Sequence, residues 1–106
     1  MFNLFKKANT KQINVNELDE LIGKIDLIDI RENNEFAEGS IQTAKHIPMG
    51  DLLADPEKYL SKDKTYYILC RSGGRSSNTV TKLEAKGYDV VNVAGGVMNY
   101  QGKYRS

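Results

Sequence analysis

Apolar residues fall in short blocks along the chain, set apart by polar stretches that carry the glycines and prolines. KIDLIDI (24–30), TYYIL (65–69) and DVVNV (89–93) are apolar nearly throughout rather than cleanly alternating, which is how strands covered on both faces read. AKHIP (44–48) reads as a short strand or extended piece, because Pro48 keeps His46 and Ile47 out of a regular helix. Between these blocks the pattern turns helical. Asn16 is placed to cap a short helix running through Ile22, with Asp19 three residues on and Gly23 just past the end. ENNEFAEGS (32–40) reads as a helical turn closed by Gly39. DPEKYL (55–60) has Asp55 as N-cap and Pro56 as first helical residue. Residues 76–86 place Val80 and Leu83 on one face, with Gly87 ending the helix. Strands alternating with helices predict an α/β domain on a parallel sheet.

The length, 106 residues, suits one domain with a modest core, expected over residues 13–106 behind an N-terminal tail of residues 1–12. In that tail MFNLFKK is too short, and in the wrong order, for a secretory signal or a membrane span; Phe2, Leu4 and Phe5 would make at most a weak surface anchor. Charge is nearly balanced, 15 Lys and Arg against 14 Asp and Glu, so no strong field calls for nucleic acid or an acidic partner. The single cysteine, Cys70, has no mate for a disulfide, a C-x-x-C pair or a zinc site, which points to a reducing, cytoplasmic setting without metal or cofactor.

Cys70 is also where chemistry is expected. It ends the YYIL strand and opens CRSGGRS (70–76), with a helix starting directly afterwards, and ligands of open parallel sheets bind beyond the carboxyl ends of strands. The loop is too short to wander. Gly73 and Gly74 are expected to supply the positive φ values of a tight curl, turning backbone N–H groups inward as an anion nest at the positive end of a helix. Such a nest favours a sulfur anion on Cys70. Arg71, Ser72, Gly73, Gly74, Arg75 and Ser76 are thus the expected substrate-binding residues, Arg71 facing an anionic donor and Arg75 tied to a carboxylate. A small buried core residue is the ordinary role of a free cysteine, but that role leaves two glycines and two arginines at one turn without a reason. Gly95-Gly96 reads as a tight turn rather than a phosphate cradle, lacking a further glycine or a Lys-Ser/Thr pair. His46, the sole histidine, reads as a partly exposed structural residue and not as a base for Cys70.

From about Ile13 to Tyr100 the chain resembles the rhodanese family of sulfurtransferases. LIDIRENNEFAEGSI resembles the first family signature, through Asp29, Arg31, Glu32, Glu35, Phe36 and Gly39; AKHIP resembles the second, CRSGGRS the active-site loop of single-domain members, and VNVAGGVMNY the closing segment. The chain departs at Ser40, where the family often has histidine, at Gln42-Thr43 for Pro-Gly, at His46 for asparagine and at Tyr100 for tryptophan. The resemblance implies a rhodanese-like fold, a five-stranded parallel sheet with helices on both faces. It implies Asp29, Arg31 and Glu32 as support for the loop, with Asp29 or Glu32 of the first signature as the carboxylate for Arg75. The implied reaction moves a sulfane sulfur from thiosulfate or a protein persulfide through a Cys70 persulfide to cyanide or a thiol acceptor, with no nucleic acid or membrane involved.

Two other readings stay open at this point. A persulfide relay or regulatory binding module would use the same fold with little turnover of free substrate. Cysteine phosphatases and arsenate reductases place five residues between Cys and Arg, whereas Cys70 and Arg75 enclose four, a ring better sized for a sulfur atom than for a tetrahedral oxyanion.

Overall fold

The computed structural model describes residues 11–106. Five strands form one sheet: β1 Gln12–Asn14, β2 Asp26–Asp29, β3 Lys45–His46, β4 Thr65–Leu69 and β5 Asp89–Ala94. Their spatial order is β1-β5-β4-β2-β3, with every neighbouring pair parallel. Four α-helices connect them, α1 Asn33–Ala37, α2 Met49–Ala54, α3 Pro56–Tyr59 and α4 Gly74–Ala85, together with 3-10 helices at Val15–Glu20 and Val97–Asn99.

Because successive strand side chains point to opposite faces, the nearly continuous apolar blocks feed two cores at once. On one face Ile28, Tyr66, Ile68 and Val90 pack with Leu52, Leu60, Val80 and Leu83 of the α-helical layer. On the other, Leu27, Leu69 and Val93 meet Val15, Leu18, Ile41, Val97 and Tyr100. The second face is thus covered by 3-10 segments and the C-terminal stretch rather than by long helices.

Several local expectations are corrected. The first helix is 3-10, and its cap is Asn14, whose Oδ1 accepts from the Asn16 amide at 2.9 Å. Asn16 instead braces the C-terminal stretch: its Nδ2 donates to the Asn99 carbonyl and its Oδ1 accepts from the Gln101 amide. Helix α2 was not anticipated, since MGDLLA contains a glycine and buries only Leu52. Strand β1 was missed because an edge strand of polar Gln12 and Asn14 carries almost no apolar signal. The expected N-terminal tail lies, up to residue 10, outside the described residues; the chain joins the sheet from Gln12. Tyr100 is buried, and its hydroxyl bonds Asp19, so a phenol replaces the frequent indole with its polar end satisfied. Among the described residues no helix is long and apolar enough to cross a membrane.

Candidate active site

Strand β4 ends at Leu69, and only Cys70, Arg71, Ser72 and Gly73 separate it from α4. Gly73 turns the chain at φ 107°, and a Cβ there would meet the Gly95 amide nitrogen at 3.2 Å. Gly74 does not share that role: its φ is not positive, and it is the first residue of α4 with open space around it. The expectation of two left-handed glycines is therefore corrected to one. The earlier start of α4 brings the helix N-terminus right up to the cysteine.

Cys70 is 1% exposed. Its Sγ accepts from the Gly73 amide at 3.1 Å and the Ser76 amide at 3.3 Å, and its thiol donates to Ser76 Oγ at 3.2 Å. Gly74 and Arg75, in the first turn, have no carbonyl four residues back to bond within the helix. The loop carbonyls are turned away from the sulfur: the Val97 amide donates to the Cys70 carbonyl and the Met98 amide to the Arg71 carbonyl, both at 2.9 Å. This contact requires Gly96, where a Cβ would lie 2.3 Å from the Arg71 carbonyl oxygen and 2.6 Å from that of Cys70. The second glycine pair is the tight turn expected, and it also holds the back of the cysteine loop, which sequence reasoning did not foresee. The result is a buried sulfur held by two N–H groups at a helix N-terminus, a cradle for an anion centred on sulfur.

Residues 14–103 match the model of the rhodanese-like domain. The chain belongs to the rhodanese-like family. It is 51% identical over 79 residues to YtwF of Bacillus subtilis, covering 73% of this chain and 74% of that protein. It is 38% identical over 73 residues to a protein of Allochromatium vinosum named a sulfurtransferase, covering 68% and 67%. A crystal structure of a rhodanese-related protein from Thermoplasma volcanium superposes with a TM-score of 0.81 at 33% identity, covering 91% of this chain and 97% of that one.

The rhodanese-like loop is braced differently from expectation. Arg75 pairs with Glu35, Nη1 to Oε1 and Nη2 to Oε2, each at 2.9 Å, and not with Asp29 or Glu32. Asp29 is already taken. Wholly buried, it receives the Arg31 guanidinium at 2.9–3.1 Å, the Arg31 amide at 3.0 Å and the Ser40 hydroxyl at 2.6 Å. Arg31 also donates to the Gly39 carbonyl at 2.6 Å, so this network closes the excursion of residues 31–40. Glu32 caps α1, and its amide donates to Glu35 Oε1 at 2.9 Å. Support thus runs from Asp29 and Arg31 to the α1 excursion, and from Glu35 on α1 to Arg75 on α4.

Arg71 and Ser72 lie exposed at the mouth of the loop, and among the described residues Arg71 has no ion-pair partner. His46, half-buried, stacks on Phe36 with centroids 4.4 Å apart, and its Nε2 bonds the Arg31 carbonyl at 2.7 Å. Among the described residues no three His, Cys, Asp or Glu gather to hold a metal. Asn92 on β5 was missed altogether: it is 3% exposed and accepts from Ser76 Oγ at 2.5 Å.

The Arg75–Glu35 pair has a measurable signature. The guanidinium, acting mainly through its hydrogen bonds, holds the Glu35 carboxyl down from 4.5 to about 2, against the opposing effect of burial and with help from the Glu32 amide. Arg75 itself is raised, chiefly by Glu35. The side chains are 33% and 23% exposed, so solvent screening limits the pair. Arg75→Ala is expected to cost about 1–2 kcal/mol and to lower kcat by loosening the start of α4. Glu35 is depressed in the folded state, so its contribution is complete above about 4.5 and fades as pH falls toward about 2. Thermal melts across that window should show the gap between parent and variant closing; a gap independent of pH would contradict the pairing.

Proposed function

We propose that the protein is a thiosulfate or persulfide sulfurtransferase in which Cys70 carries the sulfur. The observation that carries the reading is the setting of the Cys70 Sγ, buried at the end of β4 and held by the amides of Gly73 and Ser76 while the loop carbonyls are tied to Val97 and Met98. After losing its proton, Cys70 attacks the outer sulfur of the donor. A new sulfur–sulfur bond forms, the bond within thiosulfate breaks, and sulfite leaves with the electron pair. The resulting persulfide carries one negative charge, on its outer sulfur, which would lie within the loop at the positive end of α4. Cyanide or an acceptor thiolate then takes the outer sulfur and restores Cys70. With no second cysteine in the chain, that acceptor comes from outside, and a reducing compartment suits the cycle.

One observation favours a protein persulfide over free thiosulfate as the donor. Arg75 is engaged by Glu35, so among the described residues of the loop only Arg71 offers an unpaired cation, one charge to set against the two of thiosulfate. Donor specificity is read directly by comparing kcat/KM for thiosulfate with that for a persulfide-bearing protein.

Cys70→Ser is expected to remove thiocyanate release from thiosulfate and cyanide while leaving the melt close to that of the parent, because the hydroxyl is smaller than the thiol and keeps its hydrogen-bond partners. Thiocyanate release by Cys70→Ser at the parent rate would show that another group is the nucleophile.

A further inference from the structure

On β5, the residues that face α4 are Val90 and Asn92, and Ile68 lies beside Asn92 on β4. An amide buried in this otherwise apolar row is costly unless it is bonded. The bond it makes is to Ser76 Oγ at 2.5 Å, and Ser76 Oγ in turn receives the Cys70 thiol at 3.2 Å. Three buried side chains, from the loop after β4, from α4 and from β5, therefore form one line, with sulfur at one end and an amide at the other.

We propose that Asn92 is a positioning residue for Cys70, acting through the Ser76 hydroxyl, whose direction its amide matches to the charge on sulfur. When Cys70 is a thiol, its S–H donates to Ser76 Oγ, and the Ser76 hydroxyl donates to Asn92 Oδ1, as the structure has it. When the sulfur is an anion it needs a donor, so the hydroxyl turns toward sulfur, and its oxygen is left requiring a donor of its own. A carboxamide can meet both demands, because it carries an acceptor oxygen and a donor nitrogen that exchange places on a half-turn. No proton passes along the line; the thiol proton leaves to solvent, and only hydrogen-bond directions reverse. Leucine in this position would serve neither state and aspartate only the first. The remaining acceptor for the Ser76 hydroxyl is the Gly73 carbonyl at 3.1 Å, which would hold its proton off the sulfur.

This deepens the sulfur-transfer reading, since the thiolate that attacks the donor is the anion served, but it is testable without sulfur transfer. The test measures alkylation of Cys70 by iodoacetamide at neutral pH, followed by intact mass, in the parent, Asn92→Leu, Ser76→Ala and the double variant. Loss of one hydrogen bond to an anionic centre predicts about a tenfold slower alkylation for Asn92→Leu. In the Ser76→Ala background the same change should alter the rate less than about twofold, because the connecting hydroxyl is gone. An equal loss in both backgrounds, or none in either, overturns the proposal. Asn92→Asp, which keeps shape and acceptor but lacks the donor, gives a second comparison if the leucine variant does not fold; it must also be slower than the parent, and a parent-like rate overturns the proposal. Failure of the parent to release thiocyanate would strike the sulfurtransferase reading and leave this alkylation cycle to decide the role of Asn92.

Discussion

Gly96→Ala is expected to lower kcat/KM for sulfur transfer by about a hundredfold, the scale of a reacting group displaced by about 1 Å. Gly96 sits at φ 66° and ψ −175°, a region essentially restricted to glycine, so any side chain there costs about 1–3 kcal/mol of backbone strain. The larger effect is steric. The new methyl would lie 2.3 Å from the Arg71 carbonyl oxygen, a backbone atom that cannot step aside as a flexible side chain would. Either the Val97–Met98 turn retreats and releases the loop carbonyls, or the loop itself shifts and takes the Cys70 sulfur away from the Gly73 and Ser76 amides. Gly74→Ala is the matched control, because it adds the same methyl at the first position of α4, where a Cβ has open space. It should leave stability unchanged or raise it by about 0.4–1 kcal/mol. A Gly96→Ala protein with parent kinetics would show that the closing turn does not shape the loop.

The second large effect is on stability. Asp29→Ala removes the acceptor of a buried guanidinium and of a buried hydroxyl, since Arg31 is 6% and Ser40 1% exposed. Leaving one partner of a buried ion pair alone costs about 3–5 kcal/mol. At this chain length that corresponds to a drop in Tm of roughly 12 °C or more. Asp29 makes no contact with the Cys70 sulfur, so below its lower Tm the variant should keep more of its kcat than Gly96→Ala does. A melt within a few degrees of the parent would mean that the 31–40 excursion is held by something other than this network.

The sequence was most legible where one signal dominates. TYYIL is a strand over its whole length because four β-formers in a row and a leucine bury side chains on both faces, and the Cys70 loop stood out because a core cysteine has no need of two glycines and two arginines around it. Legibility failed where the deciding fact is a partner distant in sequence. Three carboxylates of the first signature were available to Arg75, and only the placement of α1 brings Glu35 to it while Arg31, two residues along the chain, occupies Asp29. Asn92 in VVNV reads as a polar gap in a buried strand until Ser76 is seen above it. Asn16 has the chemistry of a cap, but so does Asn14, and backbone geometry chose between them. Gly96 announced a turn; that the turn presses on the cysteine loop is a property of strand order, β5 lying next to β4.

The most direct test of a sulfur-carrying Cys70 is the intact mass of the reduced protein after incubation with thiosulfate and removal of excess reagent. The parent should gain the mass of one sulfur atom and lose it again on addition of cyanide, and Cys70→Ser should gain nothing. No gain by the parent from thiosulfate or from a persulfide-bearing protein, or an equal gain by Cys70→Ser, would contradict the account.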